Sequence, residues 1–183
     1  MGRGDRAEAA VAERERDERL AAIYAEHFDF VWRSSLSLGA AEAEAEDIAQ
    51  DVFLVVRRRL PDYDPSRPIR PWLFGIVRRV AKDRRRSATR AKRRLRLLPA
   101  DSARGSDNPD PEQTAARSEA TDFVEAFLAT LDESRRSIFV LSEAEGLSGT
   151  EIAEALGINR NTVYTRLRAT RQLFAQAIEK RRQ

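Results

Sequence analysis

The groups in this chain with the most to offer chemically are arginines and small polar side chains clustered near its C-terminal end. Between Ser148 and Arg171 stand Arg160, Asn161, Tyr164, Thr165, Arg166, Arg168 and Arg171. Arginine and asparagine can each make two parallel hydrogen bonds to the edge of a base in the major groove. Threonine, tyrosine and further arginines suit phosphate and sugar oxygens. This is recognition chemistry, not bond-breaking chemistry.

The intervening residues say how those groups are held. Ser148 followed three residues later by Glu151 forms a capping box, so a helix starts there. Ile152 and Leu156 fall one turn apart and face inward, and Ala153 is small where two helices cross closely. Gly157 suits the left-handed residue that ends a helix. Ile158 plugs the turn, and Asn159 caps the next helix. Val163 and Leu167 form that second helix's buried seam, which leaves the seven polar residues outside. The pattern is a helix-turn-helix, with the segment Arg135 to Leu141 packing across it as support. The bland alternative is a plain helical hairpin whose arginines are merely solvated.

A second constellation lies upstream. Asp47, Gln50, Asp51 and Leu54 share one helical face, while Ile48, Val52, Val55 and Val56 take the neighbouring, core-facing side. An acidic stripe bearing one leucine is a docking surface or, more blandly, a solvated helix face. Next comes a loop with Pro61, Pro65, Pro68 and Pro71, too proline-rich for a helix. It carries Tyr63 and Arg67. A helix beginning near Pro71 then has Trp72, Leu73, Ile76, Val77 and Val80 on one side. Arg78, Arg79, Lys82, Arg85 and Arg86 lie on the other. A stiff loop beside a basic helix suits a single strand held by its phosphates and an unstacked base. Trp72 reads as core rather than as a stacking platform, and Asp83 as a local ion-pair partner.

The chain has 183 residues and a net charge of +3. That small excess hides a strong asymmetry: Arg78 to Arg96 holds eleven basic residues and one acid, whereas Glu42 to Asp51 holds five acids and no base. Opposite patches of this kind point to two partners, a polyanion and a protein. There is no cysteine and a single histidine, His27, so thiolate or multi-histidine metal sites and histidine-based catalysis have no material. No catalytic residue, metal site or cofactor is expected, nor a membrane partner, and a cytoplasmic location is.

Helical periodicity runs through the chain, and no alternating strand pattern occurs. The expected fold is all-α, two small helical domains joined by a flexible linker. The expected boundaries are a charged tail over 1–16, either frayed or a weak helix extension, a first domain over 17–97, a polar linker over 98–118, and a second domain over 119–183. The first helix should present Leu20, Ile23, Tyr24, His27, Phe28, Val31 and Trp32 on one face.

Two stretches together carry a family resemblance. The run from Ala45 through Asp47 to Leu54, followed by Pro71 to Arg86, resembles the second conserved region of extracytoplasmic-function (ECF) RNA polymerase sigma factors, members of the sigma-70 superfamily. The stretch from Leu131 to Arg171 resembles their fourth region, whose core is the helix-turn-helix. The resemblance implies a factor that binds core RNA polymerase and directs initiation at particular promoters. It assigns Asp47, Gln50, Asp51, Phe53 and Leu54 to docking on the clamp helices of the polymerase's largest subunit. The loop from Asp62 to Arg70, with Arg78, Arg79 and Lys82, then melts and holds the −10 element. Tyr164, Thr165, Arg166 and Arg168 read the −35 element. An anti-sigma protein, which many relatives have, is a further partner. Arg79, Tyr164 and Ala169 depart from the family's common asparagine, basic residue and arginine, and these departures bear on promoter sequence, not on fold. The competing readings are a stand-alone helix-turn-helix transcriptional regulator, which would usually dimerise on a palindrome, and a nucleic-acid enzyme, which would need clustered carboxylates or a phosphate-binding loop.

Overall fold

The computed structural model describes residues 3–95 and 119–182, and every regular element among them is helical. The expected linker over 98–118 lies outside the described residues. Helix α1 spans Arg3–Ser37, α2 Glu42–Arg59 and α3 Ile69–Leu95. After the undescribed segment come α4 (Glu119–Ala129), α5 (Glu133–Glu143), α6 (Gly149–Leu156) and α7 (Arg160–Arg182). A single 3-10 turn, Leu60–Asp62, opens the proline-rich loop.

The first helix starts well before the expected onset at Asp17. Its early residues are mostly Ala, Glu and Arg, good helix formers with no proline to stop them, so the helix extends without a core to bury. Asp17, where the amphipathic pattern begins, pairs with Arg57 of α2 at 3.2 Å. Further along, Ile23, His27 and Val31 are buried as the periodicity predicts, but so is Phe30, which lies off that stripe. Besides α2 and α3, α1 packs against α5, and Arg70 of α3 lies 5.4 Å from the centre of the Phe30 ring.

Gly39 ends the first helix with φ +87°, a left-handed conformation that suits glycine. Ile48, Val52 and Val56 of α2 are fully shielded, and Val55 is half-buried. On α3, Leu73, Phe74, Ile76 and Val77 are buried while Trp72 and Val80 are half-buried. In the C-terminal group, Phe127, Ile138, Phe139, Leu141, Ile152, Leu156, Val163 and Leu167 make the core. Buried apolar residues of both groups belong to one contiguous cluster. The two helical groups therefore lie against each other, with α3 on α6 and α1 on α5.

Candidate nucleic-acid interface

The helix-turn-helix forms as its residues dictate. The Ser148 N–H donates to the Glu151 carboxylate at 2.8 Å, and the Glu151 N–H donates back to the Ser148 hydroxyl at 3.3 Å. Hydrogen bonds from the Ser148 side chain and from its N–H hold the Glu151 carboxyl below the usual carboxylate range. Gly157 closes α6 at φ +65°. The Asn161 N–H donates to the Asn159 side chain at 2.8 Å, capping α7. Each of these contacts consumes a backbone group that would otherwise go unpaired at a helix end.

On α7, Val163 and Leu167 are buried, and Arg160, Asn161, Tyr164, Thr165 and Arg168 are exposed on the other side. The Arg160 guanidinium sits 6.0 Å from the centre of the Tyr164 ring. Two of the expected outward residues are engaged within their own half. Arg166 is half-buried and donates to the Ser134 hydroxyl on α5. Arg171 donates to Glu143 through two nitrogens, at 3.0 and 2.7 Å. Both brace α7 against α5 and so fix the angle at which the exposed residues are offered.

On α2, Leu54 is 59% exposed, the most exposed of the large apolar side chains described. Gln50 is exposed beside it. Phe53 lies beneath this face rather than on it: it is buried, its ring 4.7 Å from Tyr24 and 6.5 Å from Phe28. Sequence reasoning did not find the partner of the acidic stripe. Arg84 of α3 donates to Asp51 at 2.7 Å and to the Asp47 carbonyl at 3.1 Å, and its guanidinium also lies 3.4 Å from the Asp47 carboxylate. Arg84 sits inside a basic run, where nothing in its spacing distinguishes it from its neighbours.

The proline-rich loop is tied down from within. The Tyr63 hydroxyl donates to the Arg67 carbonyl, its ring packs 4.8 Å from Trp72, and Arg19 lies 5.8 Å above it. Burial pushes the Tyr63 phenol up from its ordinary pKa. Asp64 accepts from the Ser66 hydroxyl and N–H at 2.7 and 2.9 Å, which holds its carboxyl low. Arg79 and Lys82 are exposed on α3. Arg67 and Arg78, by contrast, reach across to the C-terminal group. Arg67 pairs with Glu154, and Arg78 donates to the Leu156 carbonyl at 2.6 Å. Nearby, Arg33 donates to Glu145 at 2.6 and 3.1 Å, and Arg70 donates to the Glu145 carbonyl at 3.1 Å. The Glu145 side chain is only 2% exposed.

Among the described residues no group of histidine and carboxylate side chains could hold a metal ion, and no helix is long and apolar enough to cross a membrane. Two family models match, Sigma-70 region 2 over residues 23–91 and Sigma-70, region 4 over residues 124–173. RNA polymerase sigma factor CnrH of Cupriavidus metallidurans is 31% identical, with 93% of each chain covered. ECF RNA polymerase sigma factor SigL of Mycobacterium tuberculosis is 33% identical over 81% of this chain and 82% of its own. Among solved structures, sigma factor RpoE of Bartonella quintana, in complex with anti-sigma factor NepR, superposes with a TM-score of 0.69 at 18% identity, covering 88% of this chain and 98% of that one. CnrH in complex with the cytosolic domain of CnrY gives 0.62 at 26% identity, covering 92% and 95%. With the two regions present in order, and relatives this similar along most of their length, the chain belongs to the ECF sigma factors of the sigma-70 family.

Proposed function

We propose that this sigma factor divides promoter recognition between two surfaces that act together once it is seated on core RNA polymerase. It binds the core enzyme and directs promoter-specific initiation, and α2 provides the seat. Leu54 enters an apolar contact on the clamp helices of the largest subunit, while Asp47, Gln50 and Asp51 pair with its polar rim. The exposed face of α7 then reads the −35 element with Arg160, Asn161, Tyr164, Thr165 and Arg168, and Arg166 and Arg171 steady it. The loop bearing Tyr63 and Arg67, with Arg78, Arg79 and Lys82, holds the −10 strand. The boundaries 17–97 and 119–183 mark the two working domains, with 98–118 as the tether and 1–16 as the tail.

One observation carries this reading. A single chain holds a preformed, doubly capped helix-turn-helix and, on a different helix, an exposed leucine beside carboxylates. A stand-alone regulator has use for the first feature and none for the second. Linking two modest contacts raises the effective concentration of the second once the first has formed. Strand opening is driven by capture of unstacked bases, which offsets an unstacking cost of a few kcal/mol. The chain itself does no covalent chemistry and works in the cytoplasm. Arg67 and Arg78 exchange Glu154 and the Leu156 carbonyl for phosphates, so the two halves separate on the promoter. An anti-sigma protein is a further partner, bound to this chain as the cytosolic domain of CnrY is bound to CnrH.

The test is the double substitution Asp51→Ala with Leu54→Ala. Losing a buried leucine contact and a charge pair should weaken core-polymerase binding by roughly a hundredfold or more, with helical circular dichroism unchanged. Normal holoenzyme formation by this variant would overturn the docking assignment.

A further inference from the structure

Gly149 is the first residue of α6, directly after the Ser148 cap. Its φ is not positive, so its backbone does not require glycine. Glycine is a poorer helix former than alanine, and something other than local conformation accounts for it. The explanation lies on the neighbouring helix. A Cβ at residue 149 would stand 2.8 Å from Cζ of Tyr164 and 2.9 Å from both its Cε1 and its Oη. Those distances are too short for real atoms, so the Tyr164 ring lies in the space a side chain at 149 would fill.

The ring is therefore seated on one side by Gly149, with the Arg160 guanidinium 6.0 Å from its centre. Tyr164 is otherwise 51% exposed, and its hydroxyl has no hydrogen-bond partner among the described residues. A side chain this exposed has several rotamers open to it. The missing Cβ keeps available the one that lays the ring back across the start of α6. The contact is made by the far end of the side chain, so an added methyl group would turn the ring aside without moving either helix.

We infer that Gly149 is a positioning residue for promoter recognition, acting through Tyr164. The seat aims the tyrosine hydroxyl, and thereby fixes what that hydroxyl meets on the −35 duplex. This rests on the reading of α7 as the −35 reader.

The experiment is a double-mutant cycle on full-length chain assembled with core polymerase. Its probe is a duplex enriched from a randomised promoter library by the unsubstituted holoenzyme. Gly149→Ala should weaken binding to that duplex about five- to tenfold and change the bases that it selects around one position. Tyr164→Ala should do likewise. In the Tyr164→Ala background, adding Gly149→Ala should change affinity less than twofold. The thermal midpoint of Gly149→Ala should match or exceed that of the parent, since alanine favours the helix. An equal loss from Gly149→Ala in both backgrounds, or none in either, would overturn the positioning role. If the parent enriches no −35 sequence, or if Tyr164→Ala and Arg168→Ala both bind normally, the failure lies with the −35 reading instead.

Discussion

The two halves hold the groups proposed for DNA in different states. On α7, Arg160, Asn161, Tyr164, Thr165 and Arg168 stand exposed on a helix already capped and braced. In the N-terminal half, Arg67 is paired with Glu154 and Arg78 with the Leu156 carbonyl. The second contact has a plain cause. Leu156 is the last residue of α6, where carbonyls lack helical partners and the helix end carries partial negative charge. Carboxylate and carbonyl oxygens thus take bonds that the proposed function gives to phosphate oxygens. On the proposed reading, α7 offers its DNA-reading groups as it stands, whereas Arg67 and Arg78 of the other half are occupied by the first, with Arg79 and Lys82 left exposed. Sigma function needs both, so the strength of the contact between halves decides how readily the chain can work.

The strongest single element of that contact is the Arg33–Glu145 pair. Glu145 is shielded, and Arg33 is about half exposed. Hydrogen bonding to Glu145 holds the Arg33 guanidinium above its ordinary pKa. Removing one partner of a fully buried pair costs about 3–5 kcal/mol, because the other charge is stranded. Arg33 is half solvated, so Arg33→Ala should cost roughly 2 kcal/mol of the closed arrangement. Were the halves to part, Glu145 would return to water, so opening would relieve the stranded charge without unfolding either half. We expect small-angle scattering of Arg33→Ala to show a larger radius of gyration with helical content retained. An unchanged radius, together with a lowered melting temperature, would mean that the halves form one inseparable unit.

A smaller effect is the pH dependence that one buried histidine of the N-terminal half gives to stability. His27 is the only histidine in the chain and is buried in α1, with its Nδ1 unpartnered. Burial is the main cause that lowers its pKa, opposed by Glu26 and aided by Arg70. A proton therefore binds the unfolded chain more readily than the folded one. Stability is full above the unfolded value near pH 6.5 and falls as the pH drops below it, with a ceiling of about 1.4 kcal/mol per pH unit. Between pH 7.5 and 5.5 no other side chain type here titrates at its ordinary pKa. Urea midpoints should fall across that interval, and His27→Leu should flatten the slope. A slope that survives the substitution would assign the effect to other groups.

Legibility followed the range of the forces involved. Capping, turn glycine and seam are local, and Ser148, Glu151, Gly157, Asn159, Val163 and Leu167 all declare themselves through spacings of a few residues. Leu54 is legible as an exposed leucine because its helical neighbours commit a different face to the core. What spacing could not reveal is pairing across long separations. Arg78 and Arg84 look alike in a basic run, and Arg67 stands in the proline-rich loop, yet each finds a different oxygen. Phe30 escaped the first-helix stripe, and Arg70 of α3, distant in sequence, lies over its ring. The resemblance placed Phe53 on the docking face, but the aromatic side chains of Tyr24 and Phe28 draw it under that face.

The Arg67–Glu154 pair is expected to give the smallest effect. Both side chains are substantially exposed, 60% and 44%. Exposed ion pairs contribute about 0–1 kcal/mol and weaken with salt. Glu154→Gln should therefore leave the melting temperature almost unchanged. It also frees Arg67 for phosphate, so affinity for a single-stranded −10 oligonucleotide should rise, by no more than about fivefold at low salt. The gain should vanish at high salt, where the pair in the parent is already screened. A loss of affinity would show that Glu154 helps hold Arg67 in place for DNA, and the two halves would then be cooperating in the closed form rather than competing.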